Sequence, residues 1–252
     1  MEAPDAIVTG RSRWSRLGRA FVGAPSYPST AADRATIKLV GLELPVRSTV
    51  AIVVMVFAIL ADFHRNFLPA DITYSRDPAA MRTVAIERLF LFGLLPLATV
   101  LFVFRDDPRR YGLRVGDWRA GLVLLGAGLL VMVPLVVWIG HQPDFAAYYA
   151  PSATDAGDLL VTNAIDLTSA EFLLRGFLMF TLIRYMGPLG ILVAAVPFTF
   201  SHLGKPEVET LSTLFGGSIF GWLNWRTGSI FYSAAAHTLL LTLVTLAAAG
   251  TI

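Results

Sequence analysis

Apolar residues dominate the chain in seven long runs separated by short polar segments. The runs lie at about 47–63, 86–104, 120–140, 158–186, 188–203, 210–225 and 229–249. Most approach the roughly 20 residues that a helix needs to cross a bilayer, so the pattern predicts an all-α, polytopic membrane protein with about seven transmembrane helices. The fourth run is too long for a straight span. At 1.5 Å per residue its thirty or so residues cover roughly 45 Å against a hydrocarbon core of about 30 Å, so it must tilt, protrude or break. No repeat of 20–50 residues and no low-complexity stretch interrupts the pattern. The expected organisation is a polar, basic tail over 1–46 followed by one helical membrane domain over 47–252.

Within the tail, Trp14, Leu17 and Phe21 fall on one helical stripe with Arg11, Arg13, Arg16 and Arg19 around it. This suits a helix lying in the membrane interface; a disordered basic tail is the alternative. A secretory signal is not expected, because the first apolar run starts near position 47 and lacks a cleavage-like end. An organellar targeting segment stays open, with Glu2 and Asp5 against it.

Composition agrees with the pattern. Of 252 residues, 55% are hydrophobic and 15% charged, with a mean hydropathy of +0.64, where a soluble domain carries about 25% charge. The chain has no cysteine, which removes disulfides, thiol nucleophiles and cysteine-bound metal. The basic pI comes from arginines in tail and loops and does not point to nucleic acid. Those arginines set an orientation. The tail and the 105–119 loop (Arg105, Arg109, Arg110, Arg114 and Arg119) are basic, no Lys or Arg occurs from Ala120 through Leu174, and Arg184 and Arg226 then fall on the tail's side. The expectation is a cytoplasmic N-terminus in a bacterial plasma membrane and an outside C-terminus. Arg65, Arg76 and Arg82 in the first outside loop are the misfit, partly offset by Asp71 and Asp77.

Ionisable groups inside the apolar runs are the candidate chemistry, because charge at membrane depth is costly and marks functional sites. Glu171 and Arg175 stand at i and i+4, on one helix face. His202 ends Phe198-Thr199-Phe200-Ser201-His202, before Gly204-Lys205-Pro206 stops the helix. His237 follows Ser233-Ala234-Ala235-Ala236, where small residues allow close helix approach. A carboxylate with two imidazoles suits hydrolysis: glutamate or histidine as general base, a histidine as oxyanion donor, or both histidines as ligands of a divalent metal such as zinc, with Glu171, His202 and His237 as the candidates. The structural alternative is a buried ion pair fixing helix packing and two hydrogen-bonded packing histidines.

These residues sit in an ordered set: Tyr111-Gly112-Leu113 with Asp117-Trp118-Arg119, Glu171-x-x-x-Arg175-Gly176, Phe198-x-x-x-His202, Gly217 to Trp222, Arg226-Thr227-Gly228-Ser229-Ile230 and His237. Over about 111–241 the set resembles the CAAX-processing and bacteriocin-processing (CPBP, Abi) intramembrane proteases. The resemblance implies a membrane-embedded site of a glutamate pair, a histidine in each of two later helices, and an asparagine four residues after the last histidine. It implies action on a membrane-anchored or prenylated peptide or protein, with membrane lipid as surroundings. Glu171 matches the second glutamate, Arg175 the arginine after it, and His202 and His237 the two histidines. Ala170 and Leu241 depart from the pattern, at the first glutamate and the asparagine.

An enzyme lacking the first glutamate needs a relocated acid. Asp166 lies one turn before Ala170, and Glu207 and Glu209 follow His202. The string His202-x-Gly204-Lys205-Pro206-x-x-Glu209 resembles a subgroup of the family that also lacks that glutamate, which singles out Glu209, folding back over His202 if 204–209 is re-entrant. Glu207 reads as a solvated loop charge. The leading expectation is an intramembrane endopeptidase. The alternative is a catalytically silent member acting as a membrane scaffold or partner-binding protein. A transporter is ranked last, since Pro96, Pro134 and Pro197 interrupt spans without an evident repeat.

Overall fold

The structure is a computed structural model that describes residues 13–23, 25–64 and 75–252, with side chains from residue 18 onward in the first helix. Arg11, Glu2, Asp5, Arg65, Asp71 and the side chains of Arg13, Trp14, Arg16 and Leu17 lie outside the described residues.

Each predicted apolar run forms a helix or helical rod. In chain order the described helices are α1 (Arg13–Val22), α2 (Ala31–Arg34), α3 (Val46–His64), α4 (Pro78–Phe104), α5 (Trp118–Gly140), α6 (Pro143–Tyr149), α7 (156–186), α8 (Leu189–Phe200), α9 (Glu207–Thr227) and α10 (Phe231–Ala248). Four of them, α3, α4, α5 and α10, are long and apolar enough to cross a membrane. The protein is an integral membrane protein built almost wholly of helices. α8 is apolar but short, while α7 and α9 carry ionisable residues along their length.

Local chemistry sets the helix ends. Asp77 caps α4 by accepting from the Ala80 amide, with Pro78 in the first turn. This cap starts the helix eight residues before the predicted 86, because the polar turn 78–85 is helix-competent though not apolar. Asp117 caps α5 through the Ala120 amide, and Asp155 caps α7 through Gly157 and Asp158, satisfying backbone donors left open at a helix start. The long fourth run continues as one helical rod over 156–186. It widens into a π-helical stretch over Phe172–Met179, directly after Glu171, and such wide turns inside α-helices are frequent at functional sites.

Between residues 25 and 46 the described chain carries regular structure. A two-stranded antiparallel hairpin, β1 (Thr36–Leu39) and β2 (Leu42–Pro45), leads directly into α3. Apolar periodicity could not reveal strands only four residues long. Asp33 on α2 is buried and grips Arg47 at 2.7 Å and Arg110 at 2.7 Å, and both guanidiniums also reach Asp106, at 2.7 and 2.5 Å. Phe21, on the predicted interfacial stripe, is about half exposed.

Close helix approach rests on small residues. A Cβ on Gly121 of α5 would meet the Tyr232 ring of α10 at 2.3 Å, and one on Gly140 would meet Ala247 at 2.7 Å. Gly217 and Gly221 of α9 admit Phe198 and Ile191 of α8 in the same way. The result is a bundle with two unlike ends. The arginine-rich end holds the hairpin, the 105–117 loop and the α7–α8 and α9–α10 turns. The opposite end gathers the close of α3, the start of α4, α6, the start of α7 and the close of α8.

Candidate functional site

The resemblance motifs divide into two groups in space. The first is a clamp at the arginine-rich end. Asp117 N–H donates to Thr227 O at 2.8 Å, Ile230 N–H to Gly112 O at 3.1 Å, and Arg226 pairs with Asp117 at 3.0 Å. Gly112 (φ +81) and Gly116 (φ +63) hold left-handed backbone here, and a Cβ on Gly116 would sit 2.1 Å from Thr227 O. Tyr111-Gly112 and Arg226 to Ile230 therefore fasten two loops together and lie away from the candidate chemistry.

The second group is centred on Glu171, wholly buried at the point where α7 widens. Arg175 Nη1 donates to its Oε1 at 3.1 Å, His237 Nδ1 donates to the same oxygen at 3.1 Å, and the Ser233 hydroxyl donates to Oε2 at 2.7 Å. Both oxygens are thus occupied. Arg175 is held from its other side by Phe198, whose ring centre lies 3.9 Å from the guanidinium carbon. Phe198 also meets both imidazoles edge-on, at 4.5 Å from His202 and 5.7 Å from His237. His202 Nδ1 donates to the Phe198 carbonyl at 2.7 Å. Each imidazole is therefore anchored through Nδ1, one by a carboxylate and one by a backbone carbonyl, which leaves Nε2 as its free reactive atom.

His202 and His237 line one cavity of about 720 Å³ at the end opposite the arginines, together with Ala170, Asn163 and Leu241. Glu171 is behind this wall, reaching the cavity through His237. Leu241, at the position where the resemblance implies an asparagine, and Ala170 contribute only hydrocarbon to it.

The predicted substitute acids have different fates. Asp166 lines the cavity but is engaged by Arg88, whose Nη1 lies 3.1 and 3.0 Å from its two oxygens while Nε and Nη2 hold Asp62 at 2.7 and 3.0 Å. Glu207 is exposed at the first turn of α9. Glu209 is half-buried, accepts from Tyr149 Oη at 2.7 and 2.6 Å and from Lys205 at 2.8 Å, and stands 4.0 Å from His202 Nε2. Turns cover residues 201–204 with a bend at Lys205, and α9 begins at Glu207 with Pro206, whose fixed φ suits a helix start, at its N-cap. Burial pushes the Tyr149 hydroxyl well above its ordinary pKa, and the Glu209 charge and hydrogen bond push it the same way.

Among the described residues no three His, Asp or Glu side chains form a metal-binding group. Glu171 has both oxygens taken, and Glu209, 4.0 Å from His202, is engaged by Tyr149 and Lys205, which leaves two imidazoles without an uncommitted third donor among the described residues. The residues present do not fit a zinc site, for which three protein ligands are usual.

Arg88, Arg76, Tyr148 and Tyr149 are cavity residues that sequence reasoning missed. Arg88 carried a usable signal, an arginine in a predicted helix start; the tyrosines carried none, lying between the predicted runs on the short helix α6, whose fold back over the cavity is tertiary.

The chain is a helical membrane protein that encloses a buried carboxylate with two anchored imidazoles. Residues 153–243 match the family model described as type II CAAX prenyl endopeptidase Rce1-like. That matched segment holds Glu171, Arg175, His202, Glu209 and His237. Neither a curated protein nor a solved structure matches the chain.

Proposed function

We propose that the protein is an intramembrane endopeptidase that hydrolyses a peptide bond in a membrane-anchored or prenylated substrate. The observation that carries this reading is the Glu171–His237 pair, a fully hydrogen-bonded carboxylate holding Nδ1 of an imidazole that lines the cavity. A carboxylate so placed fixes the tautomer and stabilises the imidazolium that forms when Nε2 takes a proton.

His237 is the general base and Glu171 its positioning residue. Water attacks the scissile carbonyl carbon and gives its proton to His237 Nε2. His202, whose Nδ1 proton is committed to the Phe198 carbonyl, accepts at Nε2 from the same water and orients it for attack. When the C–N bond breaks, His237 returns the proton to the leaving amine, and a carboxylate and an amine are released. No step needs a carboxylate at position 170. With the arginine-rich end in the cytoplasm, the cavity opens toward the outside.

The test is reconstitution in liposomes with a panel of lipid-tailed peptides and mass detection of products. Removing a general base costs about 10²–10⁴-fold, so His237→Ala and His202→Ala lose cleavage while remaining in the membrane. Ala170, without a proton-accepting group on the cavity wall, favours a second reading as a partner-binding scaffold. A wild-type protein that binds the peptides but leaves them intact supports that reading.

A further inference from the structure

The cavity carries three permanent cations, and they are not equivalent. Arg88 spends its guanidinium on Asp62 and Asp166, and Lys205 is paired with Glu209. Arg76 has no carboxylate partner among the described residues. Its guanidinium carbon lies 3.3 Å from the centre of the Tyr148 ring, and its Nε is buried without a hydrogen-bond partner. Both Arg76 and Tyr148 line the cavity. A guanidinium held flat on an aromatic face has its edge donors free and little rotamer freedom left to lose, which is the state in which arginine binds a planar carboxylate bidentately.

Position adds to chemistry. Tyr148 meets Tyr149 edge-on at 4.9 Å, Tyr149 holds Glu209, and Glu209 faces His202. Arg76 and the candidate catalytic imidazole are therefore joined along one wall by a short run of direct contacts. An extended peptide advances about 3.3 Å per residue, so one bound along this wall reaches both points within a few residues.

We propose that Arg76, stacked on Tyr148, is the anion subsite of this cavity and binds a carboxylate of the peptide a few residues from the bond to be cut. The proposal rests on the endopeptidase reading for what enters the cavity, but not on cleavage taking place. Two carboxylates have the required chemistry, the peptide's own C-terminus and an acidic side chain near it.

The test is binding by fluorescence anisotropy to the full-length purified protein, which separates failure of this subsite from failure of catalysis. Three farnesylated, fluorescein-labelled hexapeptides are the probes: a free acid, its C-terminal amide, and that amide with glutamate in the penultimate position. A charge-assisted bidentate contact is worth about tenfold or more in affinity. The free acid is expected to bind about tenfold tighter than the plain amide if the terminal carboxylate is the ligand; recovery by the glutamate amide instead identifies the side chain. Arg76→Gln should abolish the difference, and Arg119→Gln, which removes an exposed arginine at the arginine-rich end that does not line the cavity, should preserve it. Carboxylate-dependent binding without cleavage keeps the subsite and overturns the endopeptidase reading. Equal binding of all three probes, no binding of any, or an undiminished difference in Arg76→Gln would overturn the subsite, even in a protein that cleaves.

Discussion

His237 Nδ1 and Glu171 Oε1 lie 3.1 Å apart across the α7–α10 contact, although 66 residues separate them in the chain. The bond joins the point where α7 widens to a helix kept close by small residues. It makes Glu171 a support for an imidazole. Glu171→Gln is therefore expected to lower kcat by about 10²-fold or more with KM nearly unchanged. Single-turnover cleavage in liposomes measures it. A variant with wild-type kcat refutes the positioning role.

Arg88 ties α4 to Asp62 at the end of α3 and to Asp166 on α7. Arg88→Ala strips Asp166 of its only described cation in a mostly buried place. Breaking such a pair costs roughly 3 kcal/mol or more. Thermal unfolding in detergent should show a clear drop, and the double variant Arg88→Ala/Asp166→Ala should recover part of it.

The Asp33 cluster at the arginine-rich end gives a pH dependence. Burial raises the Asp33 carboxyl, but the Thr30 amide, Arg110 and Arg47 outweigh it and hold it well below its ordinary range; Asp106 is lowered against burial by Arg110, the Asp107 amide and Arg47. A depressed folded-state pKa stabilises fully above the unfolded value of about 3.9 and is lost as pH falls through the folded value. The junction of α2 with α3 and the 105–111 loop should thus hold at neutral pH and loosen only below about pH 4. Hydrogen exchange of residues 31–47 between pH 7 and pH 3 measures this. Loosening already at pH 6 contradicts the assignment.

Orientation follows from the unlike ends. The chain has no cysteine, so single substitutions report accessibility directly. Val40→Cys, on the exposed hairpin turn, is expected to react with a membrane-impermeant maleimide only after lysis, and Asp144→Cys on α6 in intact cells. The reverse pattern would place the cavity mouth in the cytoplasm.

Several features were determined by sequence alone. The apolar runs located seven helical segments because a bilayer demands long stretches of hydrocarbon with their backbone bonds satisfied internally. The i, i+4 spacing made the Glu171–Arg175 pair legible, and the histidines stood out against their apolar neighbours. Tertiary structure decided the rest, because sequence does not specify how each helix is rotated about its axis or which partner it meets. That rotation turned Asp166 toward Arg88, 78 residues away, and brought Tyr149 down on Glu209. It occupied Glu171 with Ser233 and His237 and set Arg76 against Tyr148 without a carboxylate partner among the described residues. A carboxylate's role depends on which donors surround it, and those donors come from other helices, so the roles of these acids could be read only once the helices were packed.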